Sequence, residues 1–452
     1  MDWNLVFVIA MFAVFIALLF TGYPLAFVLG GTAVIFAVLG EIMNTYFDIW
    51  VDADLGYMKL VISRIFGVMS NYSFVPVPMF IFMGFMLDKS EIAKDLLRAL
   101  QMALGPVPGG LALAVTLIGV VLAASTGIIG ASVVLLTALA LPTMLQDKYS
   151  PELASGTVAA SGTLGILIPP SIMLILMADQ MSLSVGDLFM AAVVPGLILA
   201  ALYFLYIVVV TFLRPELAPP LPAAERALPL RRILALVATS LVPPLLLIFA
   251  VLGSIFFGIA SPSEAAGVGA MGATILAAAR GKLDLQCMKE VSFATAKTTA
   301  FITGAVIGAT AFAVVLRGVG GDEVIDHGIL SLPFGPTGTL IAILAIIFAL
   351  GFILDWIEIT LIILPLLAVS VPKLGFDPLW FTILVAVCLQ TSFLTPPVGF
   401  ALFYMKAAAP PGITLAHIYR GIVPFVILQL LGLAIVFAFP ILVTWLPRLA
   451  YG

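Results

Sequence analysis

Small hydroxyl-bearing residues lie inside apolar runs of this chain at two well-separated places. "SGTLGILIPPS", residues 161–171, combines Ser161, Gly162, Thr163 and Gly165 with the adjacent prolines Pro169 and Pro170. "LQTSFLTPPVGF", residues 389–400, sets Thr391, Thr395 and Gly399 around Pro396 and Pro397. Proline removes a backbone donor and ends a helix, and glycine admits dihedrals that other residues resist. The carbonyls freed at such a break, with the Ser and Thr hydroxyls, are hard oxygen ligands suited to a small hard cation. Helix N-termini at the same breaks present N–H groups and a positive dipole end to an anion. A lone proline in an apolar helix is most simply a kink. A double proline after a Ser/Thr turn, repeated at matching places, points to a binding site.

Two further stretches carry chemistry. "ASTGIIG" puts Ser125, Thr126 and Gly127 near the middle of an apolar run at 109–145. "LDWIEI" puts Asp355 and Glu358 in the middle of another, at 338–371. Small residues also serve helix packing, so the first stretch gains its interest from its place at a bend. Ionisable groups at membrane depth are costly and tend to be functional; a tip that reaches water is the plainer alternative. Glu264 and Lys297 read as interfacial or scaffold residues. Cys287 and Cys388 are the only cysteines and His327 and His417 the only histidines. A disulfide framework or a Cys/His metal cluster is thereby excluded, and each histidine is expected in an exposed loop. No nucleophile–base pair and no phosphate-binding "GxxxxGKS" occurs, so neither an enzyme nor a nucleotide-driven pump is expected. No organic cofactor and no nucleic-acid partner is expected either. Lys148 is the only Lys or Arg between Gly109 and Ala178, and Lys373 the only one between Gly338 and Tyr404. An anionic substrate would lean on a bound cation, hydroxyls and helix ends rather than on an arginine clamp.

The elements that must hold these residues are membrane spans. The 452 residues are 63% hydrophobic and 9% charged, with a mean hydropathy of +1.27; a soluble protein carries about 25% charged residues. Apolar runs long enough to cross a bilayer recur from end to end, and lipid is the surrounding partner. Spans fall at about 5–20 and 25–39, and a third is centred on "VPMFIFMGFML" after the amphipathic "YMKLVISRIFGVMS". The stretch 109–145 reads as a re-entrant hairpin with its tip at Ser125, Thr126 and Gly127. A broken span at 152–178 and a sixth span lead to a Pro-rich, Arg-bearing linker at 214–232. The second half, 233–452, repeats the order: three spans, a hairpin at 338–371 with its tip near Asp355 and Trp356, a broken span at 377–404 and a last span. Lys and Arg place the 214–232 segment inside, and the acidic loop "GDEVIDHG" lies outside. The halves 1–213 and 233–452 therefore read as two inverted-topology repeats of an all-α polytopic membrane protein.

Several of these motifs carry a family resemblance. "ASGTLGILIPPSI", "LLTALALPTML", "LLAASTGIIGAS", "LPLLAV…GFDP" and "LTPPVGFALF" resemble the large membrane subunit of tripartite ATP-independent periplasmic (TRAP) transporters over nearly the whole chain. The resemblance implies Na+-driven uptake of a small organic acid by an elevator motion in the bacterial inner membrane. It implies two partners, a periplasmic substrate-binding protein and a small four-helix membrane subunit that is not fused ahead of these residues. By motif, the family's ion and substrate region falls on Ser125, Thr126, Gly127, Ser161, Gly162, Thr163, Gly165, Asp355, Thr391, Thr395 and Gly399, with Na+ near Ser125, Thr126, Thr163, Asp355 and Thr395. Many family members carry "SGS" at the first tip, where this chain has "STG". The competing reading is a proton-coupled organic-anion exporter or channel using Asp355 and Glu358.

Overall fold

The computed structural model describes residues 3–47, 51, 53–126, 129–222 and 229–451, with the backbone alone at 123–126, 230 and 451. Every regular element among the described residues is helical. That follows from the solvent: lipid offers no partner to an open amide, so each segment closes its own hydrogen bonds.

The chain opens with α1 (Trp3–Leu19) and α2 (Leu25–Tyr46). α2 runs well past the expected end at residue 39. The reason is Asn44, whose amide nitrogen donates to the Val51 carbonyl at 2.7 Å while its oxygen accepts from the Val51 N–H at 2.6 Å. α3 (Met58–Met69) and α4 (Pro76–Lys89) form one bent unit, at 56° to each other. Asn71 holds the bend: it accepts from the Ser73 N–H at 2.9 Å and donates to Asp179 at 2.6 Å. α5 (Ile92–Leu104) buries Ile92, Ala93, Leu96 and Leu100 and exposes Lys94, Asp95 and Arg98, the pattern of a helix lying at an interface. α6 (Gly110–Thr126) and α7 (Ile129–Gln146) are the arms of the expected first hairpin. The broken span is α8 (Pro151–Thr163), a 3-10 turn (Leu164–Ile166) and α9 (Ile172–Gln180), followed by α10 (Val185–Leu213).

α11 (Leu230–Phe256) begins directly after Pro229, so Arg231 and Arg232 stand in its first turn and not in a loop. α12 (Pro262–Ala279) starts with a capping box, Glu264 accepting from the Ser261 N–H at 2.8 Å, which accounts for this exposed acid. α13 (Leu285–Gly318) has 34 residues and at about 1.5 Å per residue outruns the bilayer core. The acidic "GDEVIDHG" stretch, expected as a loop, is a helix, α14 (Gly321–Leu330). Its acids Asp322 and Glu323 lie in the first turn and His327 in the last, the arrangement that suits the helix dipole. α15 (Gly335–Leu350) ends in a turn. After this turn comes α16 (Trp356–Glu358), which continues through a π turn (Ile359–Ile363) into α17 (Leu364–Lys373). α18 (Pro378–Leu394) and α19 (Phe400–Ala408) are the second broken span, then α20 (Leu415–Ala438). A further helix beyond the expected last span, α21 (Ile441–Tyr451), packs on α10. His417 completes a capping box with Thr414 at the start of α20, so both histidines belong to helices and not to loops.

Helices from the two halves pair reciprocally. α4 packs on α12 while α2 packs on α13, and α8 packs on α20 while α18 packs on α10. Lipid tails are as apolar as leucine, so close backbone approach and polar pairs decide such contacts. At the α8–α20 crossing a Cβ on Gly156 would lie 2.1 Å from the Gly421 carbonyl oxygen. At one end of the molecule Lys89 meets Glu290 at 2.6 Å, Lys282 meets Glu91 at 2.8 Å, and Arg280 pairs with Asp95. The hydrogen bond from Lys282 holds the Glu91 carboxyl below its usual range. Exposed pairs of this kind contribute little to stability; they tie residues of the first half to residues of the second at one level of the molecule.

Candidate functional site

Hairpin α6–α7 grips α8 immediately before its break. A Cβ on Gly119 of α6 would stand 2.7 Å from the Ser161 Cβ, and one on Gly162 would stand 2.6 Å from Val133 of α7. Ser161 donates to the Thr116 hydroxyl at 3.3 Å. Gly165 lies in the 3-10 turn, and Ser171 closes the interruption by donating to the Ile166 carbonyl at 2.7 Å. Residues 161–178 are buried throughout. The Pro169–Pro170 and Pro396–Pro397 bonds are both cis.

The second break, between α18 and α19, lies against α15. A Cβ on Gly351, at the end of α15, would stand 2.2 Å from the Ser392 hydroxyl of α18. Thr391 donates to the Val387 carbonyl at 2.8 Å and Thr395 to the Thr391 carbonyl at 2.7 Å. Gly399 takes a φ of 55° and starts α19. Thr163 likewise donates to the Ala160 carbonyl at 2.8 Å. Each of these hydroxyls therefore gives its proton to its own helix and keeps its oxygen as an acceptor.

A small cleft of about 130 Å³ lies where the hairpins and the second break converge. Ile129 and Gly130 of α7, Thr298 and Phe301 of α13, Asp355 and Trp356 at the second hairpin's tip, and Phe400 and Tyr404 of α19 line it. Asp355 is its one charged lining residue among those described, and its carboxylate accepts from the Trp356 N–H at 2.8 Å. The Tyr404 ring closes on the backbone of Gly130, where a Cβ would come within 3.1 Å. Glu358, 7% exposed, has a carboxylate oxygen with no hydrogen-bond partner among the described residues.

Of the residues singled out in sequence, Asp355 lines this cleft. Thr391, Thr395 and Gly399 form the break beside it. Ser161, Gly162, Thr163 and Gly165 form the other, buried break, whose turn touches α18. Thr163 faces a cluster that sequence reasoning missed. Gln429 of α20 donates to the Tyr203 hydroxyl of α10 at 2.7 Å and approaches the Thr163 hydroxyl at 3.5 Å, while Gln390 of α18 lies beside Tyr203. All four side chains are 0% exposed. The available signal was an uncharged amide in an otherwise apolar span, a residue type that joins membrane helices. Ser125 and Thr126 end α6 with side chains outside the described set, and Gly127 lies outside the described residues.

The fold is thus a multi-pass bundle of apolar helices with two helices interrupted at paired prolines. The backbone is similar to the Alcanivorax borkumensis YdaH transporter, with a TM-score of 0.64 and 14% identity over 94% of this chain and 98% of that one. Neisseria gonorrhoeae MtrF gives 0.57 and 12% over 91% and 94%. At such identities the likeness covers the fold alone. Residues 12–442 match the family described as "Tripartite ATP-independent periplasmic transporter, DctM component". The chain belongs to that family and is a multi-pass inner-membrane transport protein, not an enzyme. It is 30% identical to the C4-dicarboxylate TRAP transporter large permease protein DctM of Pseudomonas aeruginosa, over 85% of this chain and 88% of that protein. It is 25% identical to the sialic acid TRAP transporter large permease protein SiaM of Vibrio cholerae, over 97% of each. The ectoine TRAP transporter large permease protein TeaC of Halomonas elongata is 27% identical over 98% and 99%.

Proposed function

We propose that this large permease subunit carries out Na+-coupled uptake of a small organic acid, delivered by a periplasmic binding protein, by moving its hairpin-bearing core against a scaffold that a small membrane subunit completes. The observation that carries the reading is the cleft lined by Asp355, both hairpins and the second break, with no Lys or Arg among its described lining residues. An anion enters such a site only with help. A bound Na+ on hydroxyl and carbonyl oxygens supplies the positive charge, and the starts of α16 and α19 supply N–H groups. The reciprocal pairing of α2, α4, α12 and α13 supports two inverted repeats, in which the outer helices form the scaffold and the hairpins with α8, α10, α18 and α20 form the moving body. Relatives named for a C4-dicarboxylate and for sialic acid are in keeping with an acid as the cargo. The unpartnered oxygen of Glu358, one turn from Asp355, favours a second reading in which these two acids carry protons.

Labelled-substrate uptake into proteoliposomes tests both. Uptake is expected only with the large chain, the small subunit and loaded binding protein together, under an inward Na+ gradient. Omitting the binding protein or the small subunit, or replacing Na+ by choline, is expected to abolish it, and collapsing the pH gradient to leave it. Robust Na+-driven uptake by the large chain alone would refute the tripartite part. Uptake that follows the pH gradient and ignores Na+ would select the second reading.

A further inference from the structure

We infer that the cleft between α5, α11 and α12 binds the headgroup phosphate of an anionic phospholipid. The cleft measures about 690 Å³, and its charged lining consists of Arg98, Arg232, Arg280 and Asp95. Arg280 is committed: it pairs with Asp95 and donates to the Thr239 carbonyl at 3.0 Å. The guanidinium groups of Arg98 and Arg232 have no hydrogen bond and no ion pair among the described residues. Two uncommitted guanidinium groups, from different helices, thus face one cleft that carries a net positive charge. Their forked donors fit phosphate oxygens two at a time.

The surroundings select a lipid over a soluble anion. The cleft lies at the level of the Lys89–Glu290 and Lys282–Glu91 pairs, beside the amphipathic α5. That is headgroup depth for a helix whose apolar side faces inward. The lining between the arginines is apolar, with Leu236, Pro243 and Leu276, a surface that a free phosphate ion does not use and a glycerol ester does. Farther along the same helices, Leu246 and Phe249 of α11 and Ile275 of α12 are 62%, 68% and 58% exposed, giving acyl chains a face to lie on. Basic pockets between membrane helices are a recognised place for anionic headgroups.

The test is native mass spectrometry of the full chain in mild detergent, titrated with phosphatidylglycerol, cardiolipin, phosphatidylcholine or inorganic phosphate. Saturable binding of phosphatidylglycerol or cardiolipin is expected, with phosphatidylcholine weaker. Arg98→Gln and Arg232→Gln are each expected to weaken it about fivefold, and Leu236→Glu to weaken it by charge repulsion without removing an arginine. Arg448→Gln, on a different helix, is expected to change nothing. Thermal unfolding without added lipid checks that the variants fold. Equal binding of phosphatidylcholine, arginine-dependent binding of inorganic phosphate that displaces the lipid, or well-folded arginine variants with unchanged lipid binding would each overturn the assignment.

Discussion

Thr163 and Thr395 are alike in one respect that decides how each can act. Each hydroxyl gives its proton to a carbonyl of its own helix, at 2.8 and 2.7 Å, and keeps oxygen lone pairs that can accept. Replacing either by valine removes the lone pairs while keeping the branched shape. Apparent Na+ affinity in uptake assays is expected to fall about tenfold for each valine variant, the scale of one charge-assisted contact. Serine at the same positions is expected to restore it, because the hydroxyl returns. Unchanged Na+ dependence in both valine variants, at normal expression, would reduce these residues to helix shaping. Thr163 carries a second duty, since Gln429 reaches it and Tyr203 together. The buried amide of Gln390 and the oxygen of Gln429 lack partners among the described residues. A group left so in a low-dielectric interior strengthens any partner it does find.

Among the elements, α8 is held closely on several sides. α6 and α7 grip it through Gly119 and Gly162, and α20 crosses it where Gly156 meets Gly421. A side chain on Gly421 would lie 2.1 Å from the Glu152 carbonyl, just as one on Gly156 would meet Gly421. Backbone cannot yield as the end of a flexible side chain can. Gly156→Ala and Gly421→Ala are each expected to cost about 1–3 kcal/mol. Gly267→Ala, where an added Cβ meets nothing within 4 Å, is expected to be neutral or slightly stabilising. Thermal unfolding of the purified variants in one detergent reads the difference; equal melting temperatures for all three would remove the crossing as a fixed point. The contrast between the two breaks belongs to this scale as well. The first is wholly buried, whereas Pro397 in the second is exposed, so the second is the one that borders the open cleft.

For the molecule as a whole, inverted repeats require the loop after α10 and the helix α14 to face opposite sides of the membrane. Single cysteines at Arg214 and His327, both exposed, test this in a background lacking Cys287 and Cys388. A membrane-impermeant maleimide is expected to reach Arg214→Cys only from the cytoplasm and His327→Cys only from the periplasm. Labelling of both from one side would end the inverted-repeat reading.

The sequence by itself determined that this chain crosses a membrane many times, that two spans are interrupted at Pro169–Pro170 and Pro396–Pro397, and that Asp355 stands at the tip of a turn. Each of those features is written in contiguous residues: apolar length, paired prolines, an acid inside an apolar run. Hydropathy was a poorer guide to ends, because Asn44 carries α2 onward through a bond to Val51 and the dipole-matched charges of "GDEVIDHG" make a helix of an expected loop. Only the tertiary structure decided which polar groups meet. Gln429 and Thr163 are 266 residues apart in the chain, and neither their types nor their spacing joins them. Nor does the sequence reveal that Gly130 makes room for Tyr404, or that Arg98 and Arg232 share a cleft. In lipid no hydrophobic gain draws one apolar helix to another. Helix partners are chosen by close backbone approach and a few polar contacts across the bundle, and those exist only once the chain is folded.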